Sequence, residues 1–155
     1  MKSAVTYPRE KTKLSSEAIF WLAFVHVGAL AAIPFFSWSA LGVCLLLLFT
    51  ISPIGVTLTY HRMLTHRAFR VPKWLEYSLA TIGALSAQGS PLQWVAGHRV
   101  HHQFADTEND PHTPRKGFFF SHMGHLLVQS TQTTEDWMKY VPDLSSQKFY
   151  QFLHR

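Results

Sequence analysis

The sequence predicts an all-α integral membrane protein, in which a transmembrane helical hairpin is joined to a histidine-rich cytoplasmic helical cap. Only 15% of the 155 residues are charged, and none of the charged residues lies in the 43 residues from Ala18 to Tyr60. Soluble domains carry about 25% charged residues, and one membrane crossing needs about 20 apolar residues. The uncharged stretch is therefore long enough for two crossings.

The uncharged stretch divides at a short segment that contains Pro34, two serines and several aromatic residues. We predict one transmembrane helix at about 18–36 and a second at about 38–60, because a helix satisfies its own backbone hydrogen bonds in lipid. Pro53 lies inside the second predicted span and is expected to kink it or to cause a local irregularity. The short connection makes the two spans a hairpin.

Lysine and arginine residues flank this hairpin on both sides, whereas the turn between the spans has none. By the positive-inside rule, the N-terminus and the segment after the second span both face the cytoplasm. The basic residues are scattered, so the net charge of +5 indicates contact with lipid headgroups and argues against a nucleic-acid partner. The first span starts too late and is too long for a typical signal peptide.

The cap, about 61–155, belongs to the same single domain in this prediction, because neither a linker nor an internal repeat interrupts it. Apolar residues recur at helical spacing from Pro72 to Gly97, which predicts a helix that breaks at 88–91. This helix could be a third span, but a position at the cytoplasmic membrane surface, or buried against it, is favoured. Three further segments are assigned by composition: a loop at 106–111, a short apolar stretch from Gly117, and a polar, exposed segment at 129–143.

Five of the ten histidines form two clusters in the cap. His61 and His66 form an H-x4-H motif just after the second span, and His98, His101 and His102 form an H-x2-H-H motif. On an α-helix the second cluster occupies one face, at about 0°, 300° and 400°. The first pair would lie about 140° apart and converges only if the helix ends or loosens between its members. Both clusters can then serve one metal site.

Imidazole ligands suit zinc, copper, iron and nickel. A zinc-protease helix carries a glutamate in H-E-x-x-H, which neither cluster has. Structural zinc sites usually include cysteine, whereas Cys44 lies within the second span. Because five clustered imidazoles exceed the three protein ligands of a catalytic zinc, they indicate part of a dinuclear iron site. His122 and His125 are weaker ligand candidates, and His112 is expected to hydrogen-bond within its loop.

Several motifs together resemble the membrane fatty-acyl desaturases of the stearoyl (Δ9) type. Residues 60–67, Y-H-R-M-L-T-H-R, resemble the first histidine box of that family, and residues 98–102, H-R-V-H-H, resemble the second. The D-x3-D-P-H segment at 106–112 and the R-K-G-F-F-F-S-H-M-G segment at 115–124 are similar to the family's loop after the second box. The resemblance covers about 20–137 and is greatest to bacterial, cyanobacterial and plant members.

The resemblance implies that the protein uses two iron ions, O2 and two electrons to remove two hydrogens from an acyl chain. The product is a cis double bond, near carbon 9 in the Δ9 group. A methylene C–H has no acidic proton, so such a step depends on the cofactor's chemistry. The positions that match the family's iron ligands are His61, His66, His98, His101 and His102. Gln88 and Trp94 match substrate-binding residues that line the bend of the acyl tunnel, and no catalytic side chain is implied beyond the ligands.

The resemblance also implies three partners: the lipid bilayer, an acyl-lipid or acyl-CoA substrate, and an electron donor of the ferredoxin or cytochrome b5 type. Residues 88–97 contain no lysine or arginine, unlike the CoA-contacting segment of animal acyl-CoA members, which favours an acyl-lipid substrate. Arg62 and Arg99 lie inside the boxes, where we expect them to orient ligands, with headgroup contact as an equal alternative for Arg62.

The family has a third H-x2-H-H box beyond a second membrane hairpin, and residues 103–155 contain no such motif. The two boxes present supply fewer imidazoles than the family uses. We therefore expect this chain to be the N-terminal portion of a desaturase and to be inactive by itself. Two other functions are considered: a non-catalytic membrane metal-binding remnant, and a related di-iron membrane hydroxylase with the same ligands.

Overall fold

The computed structural model describes residues 13–129 and 134–155. Within these residues the regular structure is helical, apart from an isolated antiparallel bridge between Leu14 and Val128, so the all-α prediction is confirmed. The helices are α1 (Ser16–Ala32), α2 (Trp38–Phe49), α3 (Lys73–Ala84), α4 (Pro91–Phe104), α5 (Phe118–His122), α6 (Thr134–Met138), α7 (Pro142–Ser145) and α8 (Lys148–Leu153). Short 3₁₀ turns cover Ile33–Phe35, Pro114–Lys116 and Gly124–Leu127.

The chain forms two compact units. The first unit comprises the described residues of Met1–Phe35 and Val100–Thr133, and the second those of Phe36–Arg99 and Thr134–Arg155. Helix α4 contains residues of both units. The first unit holds α1 and α5, and the second holds α2, α3 and α6 to α8.

Two helical stretches are long and apolar enough to cross a membrane, judged by length and composition. They are Ser16–Phe35, which is α1 with the 3₁₀ turn after it, and the continuous helix Trp38–Thr65. Ser15 and Ser37 cap their N-termini, each accepting a hydrogen bond from the backbone N–H three residues on. The second stretch extends five residues past its predicted end at Tyr60. The prediction ended where the uncharged sequence ends, whereas the helical hydrogen bonding continues to Thr65.

The last part of that second stretch, Thr50–Thr65, has i→i+5 backbone hydrogen bonds and is called the π segment below. Pro53 lies near its start, where the missing N–H removes an i→i−4 bond, so the expected irregularity is present. The Thr65 hydroxyl donates to the Tyr60 carbonyl oxygen at 2.8 Å, with the same five-residue spacing. Residues five apart therefore stack on one face of this segment.

Helix α3 packs against the π segment at very short range. A Cβ added to Gly55 would lie 2.7 Å from the Gly83 Cα, and one added to Gly83 would lie 2.5 Å from the Tyr60 Cε1. The Tyr60 hydroxyl also donates to the Ala80 carbonyl oxygen at 3.2 Å. The core of the second unit is built around this contact and contains Tyr60, Met63, Leu64, Ala80, Leu92, Val95, Ala96, Val141, Leu144 and Tyr150.

The predicted break at 88–91 separates α3 from α4. Ala87 and Gly89 turn the chain with φ of 57° and 92°. The Gln93 N–H donates to the Ser90 Oγ at 3.3 Å, and the Ser90 N–H donates to the Gln93 Oε1 at 3.2 Å. This reciprocal capping box, with Pro91 at the first helical position, defines where α4 begins.

The prediction that residues 129–143 are polar and exposed is wrong in part. Val141 is fully buried, and Trp137 packs against the core, with its ring 3.6 Å from the position of a Cβ on Gly97. Apolar residues at 137, 138, 141 and 144 have helical spacing, a pattern that the charged neighbours obscure in the sequence. Residues 130–133 lie outside the described part of the chain.

Candidate metal centre

The π segment brings the two histidines of the first cluster together. The His61 Nε2 and His66 Nε2 atoms are 3.1 Å apart, and the ring centroids are 4.5 Å apart. The His66 backbone N–H donates to the His61 carbonyl oxygen at 3.1 Å, which is the i→i+5 bond of this segment. Of the two predicted ways for the pair to converge, an ending helix or a loosened one, the structure has the loosened helix.

His98, on α4, joins this pair in the second unit. Its ring centroid lies 4.7 Å from that of His61 and 5.6 Å from that of His66. Each of the three offers one ring nitrogen within 4.8 Å of the others. Two imidazole nitrogens on one first-row ion, each bound at about 2.0–2.1 Å, are about 2.9–3.4 Å apart. The 3.1 Å between His61 and His66 therefore fits a shared ion, and imidazole is a suitable ligand for iron.

All three histidines of the second cluster lie on α4, as predicted. His102 is exposed and follows His98 by four residues, a spacing that puts both side chains on one face of the helix. His101 has a different partner.

In the first unit, a buried carboxylate holds His101. The His101 Nδ1–H donates to the Asp110 Oδ1 at 2.9 Å, and the Asp110 side chain has no exposed surface. Burial alone would raise the pKa of Asp110, but hydrogen bonds from His101 and from the backbone N–H groups of His112 and Asp106 outweigh it and lower that pKa. Such a carboxylate fixes the tautomer of an imidazole, so Nε2 becomes the acceptor nitrogen.

His112 lies beside this pair. Its ring stacks on that of His101 with centroids 4.2 Å apart, and its backbone N–H donates to the Asp110 Oδ1 at 3.1 Å. His125 is 5.3 Å from His112 between ring centroids, whereas His122 is exposed and stacks on an aromatic ring of its own helix. The His112 Nδ1 lies 3.9 Å from the Asp110 Oδ1, so the loop hydrogen bond of this residue is made by its backbone and not by its imidazole. Asp110 was missed as part of the site, although it is the first residue of the D-P-H motif at 110–112.

The two predicted substrate-binding residues contact each other. The Trp94 Nε1–H donates to the Gln88 Oε1 at 3.2 Å. The indole ring lies 4.9 Å from the ring of His98 and 6.4 Å from that of His61, measured between centroids. Gln88 and Trp94 therefore adjoin the three-histidine group within the second unit.

Arg99 contacts backbone carbonyls and a carboxylate. Its Nη1 donates to the Tyr140 carbonyl oxygen at 2.8 Å and to the Asp143 Oδ1 at 2.7 Å. Its Nη2 donates to the Leu64 carbonyl oxygen at 2.8 Å and to the Asp143 Oδ2 at 3.1 Å. Arg62, the other arginine inside a histidine box, is exposed.

Asp143 is bound by a second guanidinium group. The Arg67 Nη2 lies 2.8 Å from the Asp143 Oδ2. Burial alone would raise the pKa of Asp143, but the hydrogen bonds from Arg99 and Arg67 outweigh it and lower the pKa to about 2. No sequence pattern indicated that Asp143 pairs with these arginines, and its polar segment predicts an exposed side chain.

We expect the chain to lose thermal stability between about pH 4, the ordinary pKa of aspartate, and about pH 2. Because the pKa of Asp143 is depressed in the folded state, its ionised form stabilises the fold above the ordinary value, and this contribution is lost as the pH falls. Thermal unfolding in detergent at several pH values, followed by circular dichroism, measures the effect. Asp143→Asn should flatten the dependence, whereas Asp136→Asn, which removes the exposed pair with Lys139, should not. If the unfolding midpoint depended on pH equally steeply in the two variants, Asp143 would not be the source of this pH dependence.

The chain also matches known proteins. A family model for fatty acid desaturases matches residues 36–155, which include both histidine clusters. The chain is 46% identical over 139 residues to the sn-1 stearoyl-lipid 9-desaturase of Anabaena variabilis, covering 88% of this chain and 50% of that protein. It is 43% identical over an alignment of 161 residues to Delta-9 acyl-lipid desaturase 1 of Arabidopsis thaliana, covering 99% and 50%.

A third relative differs in its named substrate. Acyl-CoA 5-desaturase AL21 of Anemone leveillei is 44% identical over 146 residues, covering 91% of this chain and 45% of that protein. The chain thus spans about half the length of the curated relatives it matches. The family model covers most of the chain, including the helices that carry the paired histidines, and the chain belongs to the fatty acid desaturase family.

Proposed function

We propose that the protein is an O2-dependent desaturase that introduces a cis double bond at the Δ9 position of an acyl chain. The observation that carries this proposal is the group of His61, His66 and His98, beside which Trp94 and Gln88 contact each other. An imidazole-rich iron centre next to groups that can hold an acyl chain suits the oxidation of an unactivated methylene. Side-chain acids and bases alone do not perform such oxidations.

The proposed iron ligands are His61, His66, His98, His101 and His102. When bound, a di-iron group supplies the oxidation, with O2 and two electrons from an external donor of the ferredoxin or cytochrome b5 type. The π segment orients the first pair, α4 presents the remaining three, and Asp110 holds His101 by its Nδ1 atom. The role of the protein is to set the distances and tautomers of the ligands before the metal binds.

The proposed substrate is an acyl group in a membrane lipid. Residues 88–97, which precede the second histidine cluster, carry no lysine or arginine to pair with the phosphates of CoA. The Anabaena and Arabidopsis relatives are named for lipid-linked substrates, whereas the Anemone relative is named for an acyl-CoA. Trp94 offers an apolar ring beside His98, and positioning the acyl chain there would align a methylene with the centre.

We also propose that Ser16–Phe35 and the part of the helix Trp38–Thr65 that precedes His61 cross the bilayer, with the N-terminus and the clustered histidines on the cytoplasmic side. Large apolar side chains of these helices are exposed, for example Phe24 at 59% and Leu46 at 63%. Such a surface is typical of contact with lipid, where helices satisfy their own backbone groups. The exposed Trp74 of α3 supports a position for that helix at the membrane surface.

A complementation experiment tests the proposal. A chimera is built from this chain and the part of the Anabaena relative that lies outside the aligned region. The chimera is expressed in a host that lacks Δ9 desaturase. We expect monounsaturated fatty acids with the double bond at carbon 9 from this chimera, and none from the 155-residue chain alone. The His61→Ala chimera should yield no product, because a proposed ligand is lost, whereas the His26→Ala chimera should match the parent.

Three results would contradict the desaturase proposal. Product from the His61→Ala chimera would remove the proposed role of that imidazole. A hydroxylated acyl chain would indicate the related hydroxylase activity. Metal binding without any lipid product, under conditions in which the intact Anabaena relative is active, would indicate a non-catalytic metal-binding protein.

A further inference from the structure

We infer that Asp143 is a positioning residue of the three-histidine group, acting through Arg99 and Arg67. Through these two arginines, Asp143 keeps His98, at the start of the second histidine cluster, at a fixed position relative to the end of the π segment. This inference rests on the proposed metal-binding function of the histidines. Asp143 lies outside both clusters.

The first part of the argument is the placement of the two arginines. Arg67 directly follows His66, and Arg99 directly follows His98. Both guanidinium groups bind the carboxylate of Asp143. The Arg67 Nη2 lies 2.8 Å from it, and Arg99 makes two contacts of 2.7 Å and 3.1 Å. One carboxylate therefore links the residue after a proposed ligand in each cluster.

The second part is the fork that Arg99 forms. Its side chain is only 18% exposed, and its two terminal nitrogens bind Asp143 in the bidentate manner that gives a guanidinium–carboxylate pair a defined orientation. The same two nitrogens bind the carbonyl oxygens of Tyr140 and Leu64. A lysine has a single ammonium group and cannot reproduce this planar set of bonds.

The third part is the position of Leu64, which lies between the two histidines of the first cluster. The π segment ends one residue later, at Thr65, and the last carbonyls of a helix have no partner within that helix. Arg99 supplies a hydrogen-bond donor for the Leu64 carbonyl oxygen, as basic side chains do at helix C-termini. A shift of Arg99 would thus be transmitted to the backbone between His61 and His66.

Asp143 is required because the two arginines carry like charges. With the carboxylate between them, both guanidinium groups are attracted to one point. With a neutral amide there, the two cations repel each other, and the amide can accept only on one of its two terminal atoms. The Arg99 fork should then reorient and release the Leu64 carbonyl.

Metal titration tests this inference without an activity assay. The full chain in detergent is titrated with Co²⁺ alone, whose visible absorption changes with ligand geometry, at a temperature where circular dichroism shows every variant folded. We expect Asp143→Asn and Arg99→Lys to weaken Co²⁺ binding by about 10–100-fold, as for other outer partners of metal ligands, and to change the absorption band. Asp143→Glu should recover part of the affinity, and Asp136→Asn, a matched loss of one carboxylate, should bind as the unmodified chain does.

Equal Co²⁺ affinity in the unmodified chain and in Asp143→Asn would overturn the inference and leave the metal centre in place. An equal loss in Asp143→Asn and Asp136→Asn would also overturn it, because net charge alone would then explain the effect. Failure of the unmodified chain to bind Co²⁺ would remove the centre itself and this role with it, which is a different result. Arg99→Lys preserves the net charge and carries the same test where Asp143→Asn does not fold.

Discussion

Replacing His98 by alanine is expected to abolish metal binding at the three-histidine group. His98 is the member that α4 contributes, and its ring lies within 4.7 Å and 5.6 Å of the two others, measured between centroids. Losing an outer partner of a ligand costs about 10–100-fold in affinity, and losing the ligand itself should cost more. A Co²⁺ titration of the chain measures the loss, and desaturation by the chimera should disappear with it.

The matched control is His26→Ala, which removes a histidine from α1. The His26 Nδ1–H donates to the Leu22 carbonyl oxygen within the same helix, so its loss should leave Co²⁺ affinity unchanged. A His98→Ala chain that binds Co²⁺ as tightly as the His26→Ala chain would show that His98 is not a ligand.

Replacing Gly83 by alanine is expected to destabilise the second unit, because an added methyl group would clash with the π segment. The new Cβ would lie 2.5 Å from the Tyr60 Cε1 and 2.7 Å from the Gly55 carbonyl oxygen, and the backbone oxygen cannot move without shifting the π segment. Overpacking of this kind costs about 1–3 kcal/mol. Thermal unfolding of the chain in detergent should show the loss as a lower midpoint.

Gly42→Ala is the comparison for this variant. Gly42 lies in α2, and a Cβ there would meet nothing within 4 Å, so the substitution should stabilise the helix by up to about 1 kcal/mol. Because both changes add one methyl group to a helical glycine, their difference isolates the close contact between α3 and the π segment. A Gly83→Ala chain as stable as Gly42→Ala would contradict the observed approach.

Helix positions follow closely from the sequence. The predicted spans at 18–36 and 38–60 correspond to helices at Ser16–Phe35 and Trp38–Thr65, because a long uncharged stretch and its capping serines are local signals. The i→i+5 bonding of the π segment was not predicted; the sequence indicated only that the helix ends or loosens if His61 and His66 are to meet. No spacing rule for an α-helix distinguishes a loosened helix from one that ends.

The candidate site was only partly predictable. Helical spacing placed His98, His101 and His102 on one helix, but it did not show that His101 pairs with Asp110, because a side chain's direction depends on partners distant in sequence. Asp143 was missed for the same reason, since its partner Arg99 lies 44 residues away. Periodicity describes one element at a time, whereas these contacts join separate elements.

The reciprocal cap between Ser90 and Gln93 has a consequence for the thermodynamics of metal binding. It joins residues only three apart, so it forms locally, with a small entropic cost of loop closure. It sets the first turn of α4 and hence the angular positions of His98, His101 and His102 before any ion arrives. The backbone conformational entropy of ordering this helix is then lost on folding and not on metal binding, so that part of the cost does not reduce the apparent affinity for metal.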